Sequence, residues 1–293
     1  MFSSLVLWSS VAGSVFLLVG LILIRKDLTP FGLHNIVVLG YPFVAAPLAA
    51  FSMQHLLAAR DLMQMVPSWI PAPLFWTYFV GIGLFAAALS FTVRKQVRWS
   101  ALLLAIMFFI FVATMDIPGA MANPKNRIAW SLMFRETAFA GGALALAGAA
   151  RLQESIRISN AMIAIGRTCV AVTLLFYSFE HFAFPKSAPG VPLPKMTPNW
   201  VPVPELWAYA VGVILLIAGA AMFFNRRTRT AAAVVGLVMT FLTIALYFPL
   251  YVKALGTAQG LEEFNYVADT LFFGGTVFLV GIAAIQTRGK AIG

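Results

Sequence analysis

This chain has little charge and almost no cysteine. Charged residues occupy only 10% of its 293 positions, where a soluble domain carries about 25%. There are ten acidic residues and three histidines. The lone Cys169 excludes an intramolecular disulfide and any dithiol relay within the chain. No His-Glu-x-x-His or Cys-x-x-Cys spacing occurs, and no flavin, haem or iron–sulfur signature, so no metal and no cofactor is evident in the sequence. Period-two alternation is missing from the apolar runs, which excludes a membrane β-barrel.

What fills the chain is hydrocarbon. Hydrophobic residues make up 61% and mean hydropathy is +0.90, the composition of a polytopic membrane protein. The net charge of +10 is not a nucleic-acid footprint, because its basic residues sit in short clusters between apolar runs. Nine runs are long enough to span a core of about 30 Å: Leu5–Ile24, Ile36–Leu57, Phe75–Val93, Trp99–Ile117, Trp130–Ala149, Ala161–Phe184, Leu206–Phe224, Thr230–Val252 and Val267–Ile285. The first has no basic residue before it and Arg25-Lys26 after it, so it reads as a retained helix rather than a signal peptide. The expected fold is an all-α polytopic bundle of about nine transmembrane helices.

Placing the N-terminus outside and the C-terminus in the cytoplasm sends thirteen basic residues inward, Arg94, Lys95, Arg226 and Arg227 among them, and six outward. This is the positive-inside bias of a multi-pass protein of the cell inner membrane.

The hydrophobic bulk is written twice. Pro67-x-Trp69-Ile70-Pro71-x-Pro73-x-x-Trp76-x-Tyr78 returns as Pro198-x-Trp200-Val201-Pro202-x-Pro204-x-x-Trp207-x-Tyr209. Gly40, Ser52, Gln54 and His55 match Gly166, Ser178, Glu180 and His181. Arg94-Lys95 matches Arg226-Arg227, Pro118 matches Pro249, and Glu136-Thr137 with Gly141-Gly142 matches Asp269-Thr270 with Gly274-Gly275. The expected organisation is an N-terminal helix and turn (1–33) followed by two four-helix repeats (34–152 and 153–293). An even number of helices per repeat relates the halves by an axis along the membrane normal.

The repeated polar positions are the candidate ligand-binding residues, and all fall toward the outer face. Gln54, His55, Glu180 and His181 are ionisable or amide groups near helix ends, where a proton or a ligand can be exchanged. The bland reading of the same residues is interhelical hydrogen bonding. Trp69, Trp76, Tyr78, Trp200, Trp207 and Tyr209 form either an interfacial aromatic belt or a lid over an interhelical pocket. Glu136 and Asp269 open the last helix of each repeat, a position that a helix dipole favours for a carboxylate. Arg135 stands where the second repeat has Ala268, within sequence reach of Asp116 or Glu136.

Four apolar helices per unit, the His181-Phe182 helix end, the Pro-x-Trp-(Ile/Val)-Pro-x-Pro loop and the basic turn before the third helix resemble the DoxX-like membrane family. His55 departs from that ending, being followed by Leu56. The resemblance covers about Ile36 to Ile285 as two fused units and leaves the first helix outside. The family includes subunits associated with thiosulfate:quinone oxidoreductases and relatives linked to redox homeostasis or membrane-protein assembly. It carries no agreed catalytic set, so it assigns no catalytic residue here.

The resemblance implies a quinone-linked redox subunit with an outer-leaflet site, a quinone as ligand, and a soluble or membrane redox partner besides the lipid bilayer. Alternatives are a non-enzymatic scaffold, assembly factor or lipid-binding protein, and thirdly a small-molecule transporter.

Overall fold

The computed structural model describes residues 4–29, 32, 35–150 and 155–289. The expected repeat boundaries at 33/34 and 152/153 lie outside the described residues, as do the side chains of Arg151, Glu154, Arg288 and Lys290.

The architecture is a helical bundle. Its elements are α1 (Ser4–Ile24), α2 (Gly40–Leu57), α3 (Ala59–Leu62), α4 (Pro73–Val93), α5 (Val97–Phe111), α6 (Ile117–Ala122), α7 (Arg127–Ala150), α8 (Ile156–Ala183), α9 (Pro204–Phe223), α10 (Thr228–Leu242), α11 (Phe248–Ala254) and α12 (Gly260–Gly289). Among the described residues the β pairing is confined to one isolated bridge, Ser187 to Met196.

Eight spans are long and apolar enough to cross a membrane, α5–α6 and α10–α11 each counting as one. The ninth expected span forms α7, whose 24 residues give about 36 Å of helix. It meets the length but not the apolarity, because Arg135 and Glu136 stand inside it.

Local geometry repeats with the sequence. Pro73 and Pro204 each start a helix, where a missing N–H costs least. The residue before each is left-handed, Ala72 at φ 54° and Val203 at φ 46°. In the basic turns Arg94 (φ 53°) is matched by Asn225 (φ 54°), and Gln96 (φ 56°) by Arg227 (φ 50°). The turns therefore superpose one residue away from the Arg-Lys/Arg-Arg match, since backbone geometry rather than charge sets the register. Each third helix opens into a π turn, Val112–Asp116 and Thr243–Tyr247, just ahead of Pro118 and Pro249. A proline offers no N–H and crowds the preceding turn, and widening the helix there relieves both problems.

α7 and α12 meet at the centre, on the axis that relates the halves. Their seam runs Arg135–Asp269, Phe139–Phe272 and Gly142–Thr276. The two phenylalanine rings stack at 3.9 Å between centroids and 13° between planes, a contact worth about 0.5–1.5 kcal/mol beyond its buried area. A Cβ on Gly142 would lie 2.4 Å from Thr276 Cγ2, and one on Gly275 would lie 2.8 Å from the Phe43 carbonyl carbon of α2. Gly141 abuts Gly166 and Cys169 of α8, and Gly274 abuts Met239 of α10. Close helix approach is what small residues supply in a bilayer, where apolar side chains gain little by leaving lipid. α1, α4 and α9 lie outermost, with Leu18, Ile22, Phe79, Ile82 and Ile217 exposed. These are lipid-facing positions.

Candidate functional site

The two histidines and their Gln54 and Glu180 neighbours lie at the end of the bundle that carries the two Pro-Trp segments. His55 and His181 each stand two residues before the end of their helix. Each ring turns Nδ1 to the carbonyl four residues back, at 2.8 Å for Phe51 and 2.6 Å for Tyr177. Each also packs against a glycine of the next helix, Gly81 or Gly212, whose carbonyl accepts from Ser52 or Ser178 at 2.8 Å. Here the two halves are built alike.

Beyond that point they diverge. In the second half, residues 188–193 fold down into the bundle and are buried. Gly190 donates its N–H to His181 Nε2 at 2.9 Å, and the Tyr247 hydroxyl donates to the Pro189 carbonyl at 2.8 Å. Gly190 adopts φ 116°, and a Cβ there would lie 3.2 Å from Leu242, so backbone and space both call for glycine. With Nδ1 facing a carbonyl and Nε2 accepting an N–H, the His181 ring is the neutral Nδ1–H tautomer and both its nitrogens are engaged. Glu180 is buried against Arg127 at 2.8 Å, and Arg127 also donates to Ser187 at 3.1 Å. Lys195 of the same loop pairs with Glu263. His181 and Glu180 thus hold a plug in place. His55 and Gln54 have no such plug over them. Gln54 donates to Asn265 at 2.7 Å, and His55 is partly exposed.

The six aromatic candidates point outward. Trp69 is 69% exposed, and Trp76, Tyr78, Trp200, Trp207 and Tyr209 are likewise exposed. They ring the Pro-Trp end of the bundle, and the segment that dips inward is 188–193.

The deepest polar group is the one around Arg135. Its guanidinium reaches across the axis to Asp269, Nη1 to Oδ2 at 2.6 Å, and lies 3.7 Å from Glu136. The sequence suggests Asp116 or Glu136 as its partner, both in the same half. The tighter pair is instead made with the other half, because α7 and α12 face each other along the seam. Asp116 ends the π turn of α5–α6 and sits beside Glu136. Counted at 1.5 Å per residue from the helix ends, Asp116 lies about 9 Å in, Arg135 about 12 Å and Asp269 about 14 Å. Glu136 and Asp269 therefore do not open their helices, as the sequence suggests, but stand inside helices that begin at Arg127 and Gly260.

Two buried atoms of the cluster, Arg135 Nε and Asp116 Oδ2, have no hydrogen-bond partner among the described residues. An orphaned donor and an orphaned acceptor in one buried cluster call for an explanation, and a ligand is one. Sequence reasoning names Glu136 and Asp269 as candidates but not Asp116 or Arg135. The signal that finds them is their rarity, since a charge inside an apolar span is costly unless used. Among the described residues no three His, Cys, Asp or Glu side chains converge as metal ligands.

The comparisons with known proteins bear on the second half. The DoxX family model matches residues 162–248, from within α8 to the first residue of α11. No curated protein and no solved structure matches the chain. By its membrane-length helices the chain is a multi-pass membrane protein, and its residues 162–248 match the DoxX family model.

Proposed function

We propose that the protein is a quinone-linked redox subunit of the cell inner membrane, built from two DoxX-like units and taking its electrons from a soluble or membrane partner. Its Pro-Trp end faces outward, the orientation that the positive-inside bias favours. The observation that carries this reading is the Asp116–Glu136–Arg135–Asp269 cluster, with its unpaired N–H and unpaired carboxyl oxygen. Those two atoms suit both states of a quinone head. Arg135 Nε offers a donor to a carbonyl oxygen, and Asp116 Oδ2 offers an acceptor to a hydroxyl. A bound quinone would supply two-electron chemistry coupled to two protons. With three carboxyl groups around one guanidinium, the chain can pass protons while Arg135 stays paired with Asp269. A column of polar side chains on α12 (Glu262, Glu263, Tyr266 and Asp269) descends from the Pro-Trp end toward the cluster.

The test is calorimetric titration of nanodisc-embedded protein with a short-chain quinone. Saturable binding is expected, weakened at least about tenfold in the Asp116→Asn/Glu136→Gln double variant. Absence of binding, or equal affinity in the variant, removes the reading. The second reading, a non-enzymatic scaffold, is favoured by the closure of the second half under its 188–193 plug. That reading predicts no quinone binding and stoichiometric recovery with another membrane protein.

A further inference from the structure

A cleft of about 480 Å³ lies apart from this cluster, on the other side of α12. Its walls are α1, α2, α10 and α11 with the π turn between them, and the outer part of α12. We infer that it binds one hydrocarbon chain of an amphiphile whose head is uncharged and hydrogen-bonding. This inference does not depend on the quinone reading.

Size and shape come first. The volume lies within the range of about 300–1,000 Å³ typical of small-molecule sites. Along α1 the lining runs from Ser10 to Leu21, about 16 Å of helix. That is about half of a 30 Å hydrocarbon core, the depth of one leaflet's chain. No Lys, Arg, Asp or Glu side chain lines the cleft. Its polar lining consists of hydroxyls. Those of Thr240 and Thr243 are spent on carbonyls of their own helix at 2.7 and 2.8 Å. At the Pro-Trp end Ser10 donates to the Val6 carbonyl at 2.7 Å and accepts from the Tyr251 hydroxyl at 2.8 Å, a pair that can open to a head group.

The repeat shows how the cleft arose. At the matching junction of the two halves, α7 against α8, Phe134 and Phe176 stack at 4.2 Å and 23° and fill the space. Their counterparts here are Val267 and Ala50, which leave room. α1, which has no counterpart in the second repeat, leans on α2, α4 and α12 and closes one side. Above, Val6, Tyr251 and Phe264 cap the cleft. The gap between α1 and α10–α11 faces the bilayer. A void there would forfeit dispersion contacts on every wall, and the solvent at hand is hydrocarbon, not water. A lipid acyl chain and a prenyl chain share the required chemistry.

The experiment counts chain-bearing molecules retained by detergent-purified protein, using solvent extraction and mass spectrometry. The wild type should keep about one per protein. Ala50→Phe with Val267→Phe rebuilds the aromatic pair and should lower retention at least about tenfold. Ser10→Ala keeps the volume and should lower it about fivefold, the worth of one hydrogen bond. Wild-type protein without a retained chain, or equal retention in the filled variant, overturns the inference. If the filled variant fails to fold, wild-type protein is photolabelled in nanodiscs with diazirine-bearing acyl or prenyl lipids. Labelling of α1 and α10–α11 peptides by either supports the site and identifies the chain type. Labelling confined to other helices overturns it.

Discussion

At one junction of the two halves, α7 against α8, Arg135 is buried and Phe134 stacks on Phe176; at the matching junction, α12 against α2, Ala268 stands for Arg135, and Val267 and Ala50 stand for the two phenylalanines. The backbone beneath is the same in both. The left-handed residues, the π turns before proline and the serine-to-glycine hydrogen bonds all occur in pairs. The repeated pattern keeps what the backbone needs and varies the side chains that face the interior. The α7–α8 junction became charged and aromatic, the α12–α2 junction kept an apolar cleft, and the plug covers the His181 end. Two copies of one scaffold can thus take different roles because a few side chains decide what each interior accepts.

Replacing Arg135 should give the largest effect on this comparison. Arg135→Ala leaves Asp269 and Glu136 uncompensated at membrane depth, at a cost of about 3–5 kcal/mol. Thermal unfolding in detergent should show it as the greatest loss among single variants. A loss no larger than that of a surface substitution would show that the cross-axis pair does not hold the halves together.

Gly142→Leu comes next. Its side chain would meet Thr276 on α12, and overpacking of this kind costs about 1–3 kcal/mol. The same substitution at Gly83, which has open space where a Cβ would stand, should be nearly silent.

The histidines test the asymmetry most directly. His181→Ala strands the buried Gly190 N–H, a penalty of about 1–3 kcal/mol, and should open residues 184–203 to limited proteolysis. His55→Ala removes a ring that has one backbone bond and no plug above it, and should cost under about 1 kcal/mol. Equal effects would erase the distinction between the two ends.

The smallest change is expected at the aromatic belt. Trp69→Ala and Trp200→Ala remove largely solvent- or lipid-exposed rings and should shift stability by no more than about 0.5 kcal/mol. A large shift at either would indicate that the ring covers a site.

Much of the helix layout was legible in the chain because membrane physics writes it in long apolar runs. The Pro-Trp segments announced two helix starts, and Pro73 and Pro204 stand at them. α7 is instructive in the other direction. Its length was clear and Glu136 could be suggested as a neighbour of Arg135, yet the tighter partner, Asp269, lies 134 residues away on α12. His181 and Glu180 could be singled out as repeated polar residues. That His181 is latched by the 188–193 segment and Glu180 is paired with Arg127 was invisible, because a loop rich in proline and glycine carries no periodicity to show where it folds.

The sequence by itself determined the solvent, the helices and the duplication: hydrocarbon burial fixes the first two locally, and within-chain matching reveals the third. Tertiary structure alone decided which charges meet, which histidine is latched and where an apolar cleft remains. Those outcomes depend on helix rotation and approach at the α7–α12 seam, where glycine contact and aromatic stacking, not any local preference, set which side chains face one another.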